Sequence, residues 1–440
     1  MKPRTALTLL LLLVCGAASA LDSGYYRIIS YNSKYLTENT NSHALICSDL
    51  SESNYAQVWY LNVSGTSVTF KNVLTERYMQ KTTGNAWSEQ YVTGTSSNSF
   101  TLNDEGNGIF TFTDKWGAGP HCDAAQNVVL WVTSEDKSKW TFAVAEVDAS
   151  ALAAQKAAIS EATTSQLTQF FTTTACTELK SAYVAMSDAN LRNAMKALPA
   201  TVQEMAVKVK NNAWQTYNGW DKTEFDFRIA SHKAYSSPAR WTGIIGLGYS
   251  FGRLTNPTGI SASTGEYIHV YVGAIPSGQT IKLEVAGDNQ AAGSTYTLKQ
   301  GMNVLLMASS GNCFVNYEVD NTNDGKAPYT NIDSYAPVTV HIEGGTVNGY
   351  FDLTKGDDNS DWANLQTHLL TGSDNVEIKT DHLLFHMNTA LVKAACPTKM
   401  VELLGEWEKI LCMEYSLMGL ESFDGKWNNM LSATDITGDS

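Results

Sequence analysis

Three units of about 40 residues recur in the first third of the chain, and a repeat that short can bury its apolar face only against its own copies. Trp59, Phe100 and Trp140 lie 41 and 40 residues apart. Each is followed two residues later by an apolar side chain: Leu61, Leu102 and Phe142. Tyr35, Tyr78 and His121 keep a spacing of 43, inside Lys34-Tyr35-Leu36, Arg77-Tyr78-Met79 and Pro120-His121-Cys122. Every unit opens on a strand-like run, at 25–29, 66–70 and 109–112, and Gly, Asn and Ser turns separate the strands. This pattern predicts a closed three-fold β structure.

Residues 22–147 resemble a ricin-type β-trefoil. The Q-x-W mark of that family stands as Gln57-Val58-Trp59, and in altered form as Asn98-Ser99-Phe100 and Ser138-Lys139-Trp140. In the family this aromatic is core, so Trp59 and Trp140 are expected to pack inside. The resemblance implies glycan binding through an aromatic face and a carboxylate or amide in the repeat loops. Asp114 with Trp116, near Asp123 and Asn127, is the one set of that kind. Its structural alternative is a surface Trp on a loop.

The remaining chain changes character twice. Between 148 and 213 Ala becomes common, Gly disappears and alternation stops. Helices are expected at 149–162, 177–186, 190–198 and 202–211, with Asp188 as a cap, Pro199 as a break, and Val202, Met205 and Val209 as one buried stripe. This helical connector is expected to space the trefoil from a second β region, and no chemistry is assigned to it. From 214 to 355 alternation returns, with strands expected at 267–272, 281–285, 304–307, 313–317 and 338–342, as in an antiparallel β-sandwich. The glycines at 246–252 follow G-x-G-x-x-x-G with no helix after them, which excludes a dinucleotide loop.

Residues 1–20 read as a secretory leader. Lys2 and Arg4 precede a short apolar run, and Ala18-Ser19-Ala20 is a small-residue cleavage site. The expected mature chain starts near Leu21 and is secreted or at the cell surface. Val14 argues against lipidation of Cys15. No other apolar run is long enough to span a bilayer. Only 17% of residues are charged and the net charge is −14, about −16 without the leader. So acidic a chain lacks the means to grip phosphate backbones, which argues against nucleic acid. Six cysteines remain, with no C-x-x-C. Cys47–Cys122 and Cys396–Cys412 are the nearest candidate pairs among fifteen possible pairings, and free buried thiols are the alternative.

Two further stretches carry a second resemblance. Residues 261–273 and 341–353, the latter with Gly344-Gly345, Tyr350-Phe351 and then Asp361-Trp362, are similar to the N-terminal sandwich and domain entry of the M60/enhancin-like zinc metallopeptidases. The resemblance covers about 215–440. It implies secreted enzymes that cut mucin-like, O-glycosylated proteins. Their chemistry needs His-Glu-x-x-His on a helix, so that two His one turn apart hold zinc and the Glu takes a proton from the bound water. None of the eight His begins that motif. His382-Leu383-Leu384-Phe385-His386 has the spacing, but Leu383 stands where the base belongs and the setting reads as a strand. Residues four apart on a strand are about 13 Å apart. Helices are expected at 390–396 and 399–416. Asp357, Asp358 and Asp361 read as a solvated turn rather than a Ca²⁺ loop, and no G-x-S-x-G occurs.

The expected architecture is therefore mainly β with a helical connector: leader 1–20, trefoil 22–147, helices 148–213, β-sandwich 214–355, and the truncated α/β start of a peptidase-like domain at 356–440. The expected function is that of a secreted glycan- or glycoprotein-binding accessory region. It favours neutral sugars and has no catalytic or metal residues of its own; zinc would enter only with a catalytic part beyond 440. Two alternatives stay open: a fragment of an active zinc O-glycopeptidase, and a structural adhesin with no sugar site.

Overall fold

The computed structural model describes residues 21–81, 87–114, 117–237, 256–286, 293–319 and 332–417. It divides into two compact units, Met1–Lys156 and Ala157–Ser440.

In the first unit each repeat supplies four strands. They are β1 (Gly24–Ser30), β2 (Tyr35–Glu38), β3 (Leu45–Ser48) and β4 (Trp59–Ser64), then β5 (Ser67–Asn72), β6 (Tyr78–Lys81), β7 (Tyr91–Gly94) and β8 (Phe100–Gly106). The third repeat gives β9 (Ile109–Thr113), β10 (Ala118–Cys122), β11 (Val128–Val132) and β12 (Trp140–Val144). β1 pairs with β4 and β12, β5 with β4 and β8, and β9 with β8 and β12. Six strands thus close a barrel, which removes open edges. The other six form the hairpins β2–β3, β6–β7 and β10–β11. The hairpins meet through the bridges Ala44↔Val92, Ile46↔Asn127 and Gln90↔Val129, one for each pair. This is the three-fold β-trefoil expected from the repeat.

Trp59, Phe100 and Trp140 open β4, β8 and β12 and are all but fully buried. The Trp59 indole donates to the Leu36 carbonyl at 3.0 Å and that of Trp140 to the Pro120 carbonyl at 3.1 Å. Buried indoles need such a partner, and Phe100 carries no donor to satisfy. Cys47 and Cys122 are not joined, and the Cys122 thiol donates to the Gln126 side chain at 3.7 Å. Cys47, Cys122, Cys176, Cys313 and Cys396 are all buried free thiols.

The second unit is built on two antiparallel sheets. One has the order β13 (Ile229–His232), β22 (Val338–Glu343), β16 (Tyr267–Val272), β19 (Gly301–Leu306). The other has the order β18 (Thr295–Leu298), β17 (Ile281–Ala286), β20 (Gly311–Asn316), β15 (Asn256–Ala262), β23 (Thr346–Val347). Ile268, Val270, Val272, Val340 and Ile342 of the first share one core with Ile260, Ile281, Leu283 and Val315 of the second. This is the expected sandwich, joined by the short parallel pair β14 (Tyr235–Ser236) and β21 (Glu318–Val319). Gly344 and Gly345 turn the chain from β22 to β23 at φ +89° and +62°, and a Cβ on Gly345 would lie 2.7 Å from Ile260 and Ser261. That explains the Gly-Gly in the motif.

The helices between the trefoil and the sandwich do more than connect. After α1 (Ala149–Ala158) come α2 (Thr164–Phe170), α3 (Ser181–Val184), α4 (Asp188–Ala194) and α5 (Ala200–Asn211). Leu167, Leu191, Met195, Val202 and Met205 form one core with Tyr271, Met302 and Val304, on the outer face of the first sheet. Helix α2 was not expected, and the first helix ends at Ala158 rather than 162. Asp188 is not the cap: Ser187 accepts the Asn190 amide, and Asp188 pairs with Lys210 at 2.5 Å. The short α6 (Phe225–Arg228) leads into β13.

A mixed sheet of β24 (Phe351–Asp352), β25 (Asn375–Lys379) and β26 (Leu384–Asn388) carries α7 (Asn359–His368), α8 (Thr389–Ala395) and α9 (Met400–Leu417). Phe351, Trp362, Leu365, Ile378, Val392 and Met400 are its core. The acidic cluster is not a solvated turn. Asp357 is buried and paired with Lys222, and Asp358 and Asp361 form the capping box of α7. No helix among the described residues is long and apolar enough to cross a membrane.

Candidate functional site

Of the four sugar-site residues expected from the sequence, the structure describes Asp114, Asp123 and Asn127, and Asp114 lies in a different turn from the other two. Trp116 lies outside the described residues. Asp114 is only 8% exposed, and its carboxylate accepts the Ala118 amide at 3.2 Å inside the turn that opens β10. Asp123 holds the turn at the other end of β10, accepting the Asn127 amide at 2.8 Å. Asn127 in turn accepts from Gln90, which also donates to the Leu45 carbonyl. Asp114 bonds to Ala118 at the start of β10, about five strand steps or ~16 Å from Asp123. Asp114, Asp123 and Asn127 hold turns and tie hairpins together.

The aromatic surface of the third repeat lies elsewhere. Trp131 on β11 and Trp87 from the loop before β7 meet edge to face, with centroids 5.6 Å apart. Backbone bonds Ser88 to Leu130 and Leu130 to Glu89 fasten that loop beside β11. Trp87 is 58% exposed, and the Trp131 indole donates to Glu135 at 3.0 Å. His121 lies 5.9 Å from Trp131, and burial lowers its pKa, which keeps the ring neutral. Exposed Trp87 and half-buried Trp131 offer an aromatic surface flanked by a carboxylate, the combination that holds a polar ring with an apolar side. The sequence contained no signal for Trp131, because β11 reads Val128-Val129-Leu130-Trp131-Val132, apolar throughout, with three buried residues in a row before it. Trp87 had none either, because its neighbour is 44 residues away.

In the second unit His386 lies on β26, as expected of a strand, and His382 lies in the turn before it. Each is committed to its own buried carboxylate. His386 Nδ1 meets Glu377 at 2.7 Å, and His382 Nδ1 meets Glu408 at 2.9 Å. Glu377 also accepts from Asn312 at 2.9 and 3.1 Å. A carboxylate on Nδ1 leaves Nε2 able to ligate, but two histidines alone do not make the ligand set that zinc requires, so these residues do not fit the metal. Among the described residues no group of three or more His, Cys, Asp or Glu is placed to hold a metal ion. His386 instead borders an apolar groove of about 420 Å³ between β26, α8 and α9, lined by Phe385, Leu391, Leu403 and Trp407.

No family model matches the chain, and no curated protein does. Among solved structures, it is similar to a metallopeptidase from Bacteroides thetaiotaomicron, at 27% identity and a TM-score of 0.50, over 60% of this chain and 42% of that one. A metallopeptidase in complex with Tn antigen matches at 27% identity and a TM-score of 0.40, over 46% of this chain and 37% of that one. A Macrolepiota procera ricin B-like lectin in complex with lactose matches at 16% identity and a TM-score of 0.27, over 28% of this chain and 98% of the lectin. The chain thus spans about two fifths of the length of these metallopeptidases.

Proposed function

We propose that this chain is a secreted glycan- or glycoprotein-binding protein in which a sugar-binding trefoil accompanies the non-catalytic part of an M60-like metallopeptidase. The observation that carries the reading is the pair of exposed Trp87 and half-buried Trp131 with Glu135 beside it. The likeness to the Bacteroides metallopeptidase and the Gly344-Gly345 to Asp361-Trp362 string support the second half. A neutral sugar is favoured because the chain is strongly acidic, and a sulfated or sialylated ligand meets repulsion only partly screened over about 8 Å. The second reading, a piece of an active zinc O-glycopeptidase, draws on the 42% coverage of that metallopeptidase.

Galactose and N-acetylgalactosamine titrated into wild type, Trp131→Ala and Trp87→Ala test the proposal. We expect a dissociation constant near millimolar for wild type, about −4 kcal/mol, and weakening of about tenfold in either variant. Affinity for a multivalent glycan would come from repetition of such contacts. Trp116→Ala tests the sequence-derived alternative. Equal binding by all four proteins removes the trefoil aromatics from the site, and no binding by wild type leaves the structural adhesin.

A further inference from the structure

We propose that Lys233, Lys355 and Lys379, gathered around Tyr235 and Tyr350 in the second unit, bind one small tetrahedral oxyanion of the sulfate or phosphate type. The site lies wholly within that unit and is independent of the trefoil reading. Three separate segments supply it. Lys233 stands between β13 and β14. The Asn256 side chain donates to the Lys233 carbonyl at 3.0 Å, and the Tyr235 amide donates to the Tyr317 carbonyl at 2.9 Å, which fixes this segment. Lys355 ends the turn that follows β24. Lys379 ends β25, where the parallel register sets it beside Asp352. Lys233 Nζ and Lys379 Nζ stand 5.0 and 5.6 Å from the centroid of the Tyr235 ring. Lys355 Nζ stands 5.1 Å from that of Tyr350 and donates to the Tyr350 hydroxyl.

The charge inventory selects the ligand class. The chain carries 44 acidic residues against 30 Lys and Arg, so a carboxylate is seldom far from a lysine. Among the described residues Lys34, Lys210 and Lys222 each hold one, whereas Lys233, Lys355 and Lys379 hold none. The carboxylates that face Lys379 are Asp352 and Asp381. Asp352 is committed to its own turn, accepting the Thr354 amide at 2.9 Å and hydroxyl at 2.6 Å, and Asp381 is exposed to water. On the Tyr350 side, Asp357 holds Lys222 and Asp226 accepts the Thr223 amide. Lys379 is half-buried, and burial, with the charge of Lys355 behind it, keeps its pKa below the usual lysine value. A desolvated cation facing a like charge is costly, and an anion between them removes both penalties. The nitrogens can be reached: Lys233 and Lys355 are exposed, and Lys379 Nζ is not among the enclosed polar atoms. Ammonium groups arriving from three segments need an acceptor with oxygens in as many directions. A carboxylate offers two oxygens in one plane, whereas a tetrahedral oxyanion offers more and carries a larger charge. The negative net charge of the chain acts at long range and is screened beyond about 8 Å, while these three groups act in contact.

The rival state is three solvated lysines with no occupant. The test uses the full chain with ¹³C-labelled tyrosine rings, the Tyr235 signals being assigned by Tyr235→Phe. Sulfate, phosphate and galactose sulfate are titrated at constant ionic strength. We expect a saturable Tyr235 shift with sulfate or phosphate, and none when chloride alone is raised. Galactose sulfate binding more tightly than free sulfate assigns the oxyanion to a sugar ester, and binding no tighter assigns it to a free anion. Lys233→Met and Lys379→Met should each weaken the oxyanion about tenfold, the loss of about one charge-assisted hydrogen bond. Trp131→Ala should leave the shift unchanged, so failure here and failure of the trefoil site are read separately. Thermal unfolding of both lysine variants at or above the wild-type temperature confirms that they fold. Undiminished affinity in both variants, a Tyr235 shift that chloride reproduces, or no shift with sulfate or phosphate far above millimolar overturns the proposal.

Discussion

His232, on β13, is a histidine buried beyond the reach of water. Burial, aided by the charges of Lys355 and Lys379, pushes its pKa down to about 3. An unfolded chain takes up a proton near pH 6.5, whereas the folded protein refuses it until about pH 3. Stability from neutral His232 is therefore present above pH 6.5 and is lost as pH falls towards 3, by about 1.4 kcal/mol per pH unit. Between pH 6.5 and 4.5 that is about 3 kcal/mol. Denaturant unfolding of wild type and His232→Gln at both pH values should show a steeper loss in wild type by that amount. Parallel losses would mean that the folded state accepts the proton. His382 and His386 illustrate the limit of reading residues singly. Their four-residue spacing in a strand setting argued only against a shared zinc, and what each does is set by Glu408 and Glu377, which lie 26 and 9 residues away.

At the scale of elements, alternation and repeat length were enough to place the trefoil strands, because a strand's buried face is written every second residue. Trp59, Phe100 and Trp140 open three equivalent strands, so their truncation should have equivalent effects. Trp59→Ala and Trp140→Ala are expected to cost about 3–5 kcal/mol each, with Phe100→Ala in the same range. Denaturant unfolding followed by circular dichroism checks this, and a cost under about 1 kcal/mol at any of the three would break the pseudo-symmetry. Besides the four-residue α6, two helices escaped the sequence reading, and both begin with a capping box: Thr163 with Gln166 at α2, and Asp358 with Asp361 at α7. Both are rich in Ser, Thr, Asp or Asn, which favour turns when isolated. The reciprocal side-chain bonds at the first turn offset that preference, and the T-x-x-Q and D-x-x-D spacings were the signals available.

For the whole molecule, the absence of His-Glu-x-x-His from the sequence and the separate commitments of His382 and His386 point the same way. The 440-residue chain, washed with chelator and then given zinc, should retain no stoichiometric metal by elemental analysis and should cleave no O-glycoprotein. One tightly held zinc per chain would return both histidines to the role of ligands. The sequence by itself determined the order of architectures: a three-fold β repeat, a helical stretch, a sandwich, and a mixed α/β stretch. Each rests on a period or composition carried by neighbours along the chain. Only the tertiary structure decided which side chains meet. It placed Trp87 against Trp131, divided Asp114 from Asn127, seated the helices on the sandwich, and gathered Lys233, Lys355 and Lys379 around Tyr235 and Tyr350. Such contacts depend on register and on the packing of elements far apart in sequence, and no local pattern encodes either.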